Sequence, residues 1–269
     1  MNHQSAFQEE VYAAVDLYST RAGISAARRS RRSCNRLGEE CKSADLIGVL
    51  EKFSDIIHEH WNGRPIQRSN WQWRTEPRSF SNEKREVWLE RTIFSAQQND
   101  DWTYQIPTSS GLFAGRGGRR RSIDLVHRVS PLVFEFIELK DESNNPYFAA
   151  FELLLYASLY LFARSRDQKH LPHRSESGYE LLRATHIDLQ VLAPHRYYRG
   201  RSLGQFENAL NDAVNAFAAH SDLGVTMTFS YKAWPELFPS WPLMKEQLTP
   251  TSLRSAIEQR RSAYTGDAT

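Results

Sequence analysis

The chain is poor in cysteine, in net charge and in long apolar runs, and each shortage narrows what it can be. Cys34 and Cys41 are its only cysteines. Two are too few for a disulfide framework or a zinc set, and they fit a reducing cytoplasm. A formal net charge of +2 over 269 residues excludes a polycation, so any surface for nucleic acid must be local. The N-terminus carries no apolar signal core. The longest apolar run, Tyr147 to Ala163, is interrupted by Glu152; read by length, it falls short of a membrane span, and no membrane partner is expected. There is no internal repeat and no low-complexity tract. With 40% hydrophobic and 12% aromatic residues, the chain can fill one core and a small appended region.

The first eighty residues read as a helical region. Phe7 to Tyr18 has helical periodicity, and Ser43 to Trp61 repeats it with an apolar stripe of Leu46, Val49, Leu50, Phe53, Ile56 and Ile57. Between them Arg28, Arg29, Arg31, Arg32 and Arg36 form a basic run, either a grip for phosphates or a solvated connection. His58 and His60 point apart on a helix, which favours a surface role over metal binding. Asn62 to Phe80, with Gly63, Pro65, Pro77, Trp71 and Trp73, reads as an ordered linker. Residues 81–269 read as the second domain.

That domain is organised around residues 121–140. Two apolar runs, Ile123 to Val126 and Leu132 to Leu139, flank a break at Ser130-Pro131 and read as paired strands. Alternation puts Glu138 and Lys140 on one face with Phe134 and Phe136. Pairing can bring Asp124 beside them. Buried acids need a partner or a cation. Oxygen donors of this kind suit Mg²⁺, with Mn²⁺ as the alternative. The bland alternative is a salt bridge from Glu138 to Lys140, or a strand-end pair with Asp141.

Upstream, Ser81 to Gln98 reads as a helix whose stripe holds Val87, Leu89, Ile93 and Phe94, with Glu90 inside it and Glu86 nearer its end. Glu90 is either a site acid or an ion-pair partner of Arg85 or Arg91. Asp101 to Pro107 is a first strand. Gly111 to Arg121 (GLFAGRGGRRR) is not a dinucleotide fingerprint, since no helix opens on it. Its Arg116, Arg119, Arg120 and Arg121 make either a phosphate-contacting loop or a plain hairpin connection. After Lys140, Tyr147 to Ala163 is a helix apolar all round. Thr185 to Pro194 and Val225 to Tyr231 are further strands, Leu203 to His220 and Thr251 to Tyr264 further helices. The stretch His195 to Arg201, with Arg196 and Arg199 among tyrosines, is a candidate base-stacking and phosphate-binding segment, or an ordinary surface loop.

Asp124, followed fourteen residues later by Glu138-Leu139-Lys140, resembles the D…(D/E)-x-K signature of the PD-(D/E)XK nuclease superfamily. The resemblance covers about residues 83–193. It implies an α/β, restriction-endonuclease-like αβββαβ core with a mixed sheet flanked by helices, here with an N-terminal helical extension. It also implies Mg²⁺-dependent phosphodiester hydrolysis. Asp124, Glu138 and Glu90 would hold the metal, and Lys140 would act on the water or the phosphate. DNA is expected before RNA, and a bacterial defence or restriction role follows only from the family. The family's Gln-x-x-x-Tyr helix motif departs here to Glu152-x-x-x-Tyr156, leaving Glu152 with either a site role or a structural one. The alternatives are a non-catalytic nucleic-acid or protein-binding module on a nuclease scaffold, or a structural subunit of a complex. Both leave room for a homodimer or a partner protein.

Overall fold

Period-two alternation along the five longer segments underlies a single open sheet of six strands. A computed structural model of the chain describes residues 6–21, 42–76, 85–97, 99–113, 121–141, 146–200, 203–240 and 243–263. The strands are β1 (Trp102–Pro107), β2 (Ser122–Ser130), β3 (Val133–Leu139), β4 (His186–Ala193), β5 (Thr226–Ala233) and β6 (Arg261–Ser262), in that spatial order. β1, β2 and β3 form an antiparallel meander. β4 and β5 then add in parallel to β3, and β6 closes the edge antiparallel to β5. The architecture is therefore α/β with a mixed six-stranded sheet flanked by helices.

The helices are α1 (Ala6–Arg21), α2 (Ser43–His60), α3 (Arg85–Ala96), α4 (Pro146–Arg164), α5 (Gly204–His220) and α6 (Pro250–Glu258), with single-turn helices at His195–Tyr198 and Met244–Gln247. α4 and α5 are the crossovers that parallel pairing demands, linking β3 to β4 and β4 to β5. They share a core with Phe134, Phe136, Ile187, Leu189, Met227 and Phe229 on one sheet face. α1 and α2 belong to that same core through Phe7, Val11, Leu50 and Phe53. The boundary placed at residue 80 lies outside the described residues. On the opposite face α3 and α6 cover Tyr104, Leu125, Ile137, Leu139 and Leu192.

α4 corrects the reading of its length. It is long and apolar enough, by length and composition, to cross a membrane, but 94% of its apolar window is buried within the protein. Burial from every side explains why it is apolar all round. Pro146 opens it, where a missing N–H costs nothing. Trp71, in the stretch read as a linker, is fully buried, stacked on Phe136 and edge-on to Tyr160.

Candidate active site

The site lies where β2 and β3 separate. Their ladder runs from Ser130↔Val133 to Leu125↔Ile137. The next position would set Asp124 opposite Glu138. There the Leu139 amide donates to Asp124 Oδ2 instead, at 2.9 Å. The alternation of β2 also turns over at this point. Leu125 packs in the α3-side core, whereas Ile123 packs in the α4-side core. β1 turns over beside it, with Tyr104 in one core and Ile106 in the other. Between these two, Gln105 takes a φ of 46°, a left-handed conformation that costs a non-glycine residue about 1–3 kcal/mol. Asp124 is thus placed so that groups from both sheet faces reach it.

From the α4 face come Glu138, Lys140 and Glu152. Lys140 Nζ donates to Glu138 Oε1 at 2.5 Å and pairs with Glu152 Oε2 at 3.1 Å. Glu138 and Lys140 are each about 4% exposed, so both charges depend on the protein for partners. Glu152, placed where the resemblance has glutamine, is a Lys140 partner. Tyr156 is committed elsewhere, donating to Ser122 O at 3.0 Å. From the α3 face comes Glu90, buried between Leu89 and Ile93 and held by Gln105 Nε2, which donates to Glu90 Oε2 at 2.9 Å. Val87 and Phe94, expected in the buried stripe, are only half-buried; the covered face runs through Leu89, Glu90, Ile93 and Ala96.

The carboxylates work against each other. Burial, then the Glu90 charge, raises Asp124 well above the ordinary carboxylate range, against the pull of Lys140 and the Leu139 amide. Burial, then Asp124, does the same to Glu138, against Lys140. Burial pushes Glu90 up to about 8, with Glu138 and Glu86 adding to the effect and the Gln105 hydrogen bond opposing it. Burial alone would lower Lys140, but Glu138, Glu152 and Asp124 together raise it well above the usual lysine value. Lys140 therefore stays a cation.

A divalent cation fits this donor set. Glu138 Oε2 is buried with no hydrogen-bond partner, and Asp124 and Glu138, both raised, are hard oxygen donors that a cation would relieve. Among the described residues no group of three or more His, Cys, Asp or Glu side chains stands ready to hold a metal ion. The fit is to an ion bound by one or two carboxylates and completed by water and phosphate, the habit of Mg²⁺.

The expected nucleic-acid contacts are placed unevenly. Arg116, Arg119 and Arg120 lie outside the described residues, as do Arg28, Arg29, Arg31, Arg32 and Arg36. Arg121 hydrogen-bonds Gln8 and lies over the Phe7 ring. Arg199 is exposed. Arg196 pairs with Asp141 at 3.5 Å. The base-stacking reading of His195 to Arg201 is corrected. Tyr197 and Tyr198 are buried, and the Tyr198 hydroxyl lies 2.9 Å from Val191 O and from Lys232 O. Sequence reasoning did not single out Gln105, because a lone polar residue in an alternating strand reads as solvent-facing. No protein-family model matches the chain, and no curated protein or solved structure is similar to it.

Proposed function

We propose that this protein is a divalent-metal-dependent nuclease with a restriction-endonuclease-like core, hydrolysing phosphodiester bonds in DNA before RNA. The observation that carries the reading is the pair of crowded carboxylates, Asp124 and Glu138, on adjacent strands with the Lys140 ammonium against one of them. Asp124 and Glu138 would hold the ion, with Glu90 supporting it directly or through water. When bound, Mg²⁺ or Mn²⁺ supplies charge neutralisation at the scissile phosphate and acidifies a bound water. Lys140 offers N–H donors where negative charge develops. Glu138, Glu152 and Asp124 favour its charged form, and it would act on the attacking water or as a donor to the phosphate. Gln105 fixes Glu90. Asp124 is half-buried, which leaves the cluster an approach from solvent. A bacterial defence or restriction role rests on the family resemblance alone.

The second reading is a binding module on a nuclease scaffold. It is favoured by the double engagement of Lys140 with Glu138 and Glu152, the pattern of a structural ion pair. One assay separates the two: plasmid, linear duplex, single-stranded DNA and RNA incubated with Mg²⁺, Mn²⁺ or EDTA. Wild type should cut at least one substrate only with metal. Asp124→Asn and Glu138→Gln should abolish cleavage while keeping or tightening binding, since an acid facing phosphate is removed. Lys140→Ala should lose about 10²–10³-fold in rate, the usual cost of one donor to a developing charge. Cleavage unchanged in the two acid variants contradicts the site assignment, and a wild type that binds but never cuts supports the second reading.

A further inference from the structure

Directly after Lys140 the chain places Asp141, about 3% exposed. Two arginines from different elements meet its carboxylate. Arg85, at the start of α3, lies 3.5 Å from Oδ2, and Arg196, in the single turn after β4, lies 3.5 Å from Oδ1. Both separations exceed the roughly 2.7–2.9 Å of a tight charge-assisted bond. Both arginine side chains also remain open to solvent, at 48% and 31% exposure. Each has a chain neighbour inside the field of the acid cluster. Glu86 acts on Asp124 and on Lys140, and Tyr197 feels Lys140, Glu152 and Glu138. The two guanidinium groups share an anion that directly follows Lys140 in the chain, each nearest a different one of its oxygens. A phosphate presents oxygens at a spacing close to that of a carboxylate, and guanidinium forks match it.

The geometry points to Arg85 and Arg196 as a two-guanidinium clamp for one backbone phosphate of the strand entering the site, with Asp141 as the latch that holds both in the free protein. The inference rests on the nuclease reading for the identity of its ligand. It also answers a difficulty of that reading. Any of Asp124, Glu138 and Glu152 that is ionised repels a polyanion, and fixed cations beside the cluster offset that repulsion. The latch keeps the arginines ordered before substrate arrives, which lowers the entropy cost of seating a phosphate.

The test is binding of a labelled DNA duplex of about 20 base pairs to the full chain in EDTA, by fluorescence anisotropy over a series of salt concentrations. Arg85→Gln and Arg196→Gln should each reduce the log–log salt slope by about 0.9, the amount expected when one fewer phosphate is neutralised. Arg196→Lys should keep most of the slope, because the charge remains. Asp141→Asn should tighten binding several-fold, since the competing anion is gone; its thermal midpoint reports whether it folds, and the arginine variants decide the matter if it does not. Unchanged slopes in both arginine variants, or weaker binding by a folded Asp141→Asn, would overturn the clamp and leave a purely structural ion pair. Reduced slopes in a protein that cuts nothing with Mg²⁺ would keep the clamp and sink the nuclease reading. A wild type that binds no duplex sinks the clamp.

Discussion

Glu90 puts a carboxyl into a wall of apolar side chains, and the cost has a pH dependence. Its folded pKa of about 8 lies above the ordinary 4.5 because burial disfavours the anion. Between those values the folded chain holds a proton that the unfolded chain has released. Glu90 is therefore best tolerated below about pH 4.5, and stability falls as pH rises towards 8, by about 1.4 kcal/mol per pH unit. Glu90→Gln removes that penalty. Urea unfolding across this window should show the variant gaining on wild type as pH rises. Parallel curves would contradict the burial account. At this scale much of the site was legible in the sequence. Glu90, Asp124, Glu138 and Lys140 are each a charge set among apolar neighbours, which periodicity exposes. Gln105 was not legible, because its role comes from a backbone φ of 46° that no side-chain pattern encodes. Nor was the meeting of Arg85 and Arg196 at Asp141, which brings together three stretches distant in sequence.

Among elements, the long periodic segments were legible and the short joins were not. α2, α4, α5 and β3 to β5 stand where alternation and helical stripes put them. β2 runs on to Ser130, past Val126, because the polar His127 and Arg128 belong to an antiparallel pair with one partly open face. Periodicity carries the last helix to Tyr264, but it ends at Glu258 and the chain becomes β6. The cause is tertiary. Arg260 donates to Glu135 Oε2 at 2.5 Å, and His127 Nδ1 lies 2.6 Å from the same oxygen. Burial opposes the Glu135 anion, yet the His127 hydrogen bond and the Arg260 charge outweigh it and lower its pKa to about 2. The stability this contributes is full above about pH 4.5 and is lost as pH falls through 2. Arg260→Met should cost about 1–3 kcal/mol at neutral pH, as for a buried acceptor stripped of a partner. It should also move the acid-unfolding midpoint to higher pH. An unshifted acid transition would show that Arg260 does not set the Glu135 charge.

For the whole molecule, the N-terminal helices are part of the core and not an accessory laid beside it. α1 and α2 pack with α4 and α5 through Phe7, Leu50, Phe53 and Ile57. The sequence showed their stripes but not what the stripes face, because amphipathicity states that a face is buried and never against which partner. The molecule thus covers one sheet from both sides, and Asp124 and Glu138 lie just past the end of the β2–β3 ladder. The central claim is that these two acids hold a divalent cation. Calorimetric titration of Mg²⁺, with Mn²⁺ as a second probe, tests it most directly when run in two buffers of different ionisation enthalpy. Wild type should bind and release protons, because the raised carboxyls must ionise to act as ligands, and Asp124→Asn and Glu138→Gln should not bind. A wild type that takes up neither ion, or variants that bind as well as wild type, would contradict the claim.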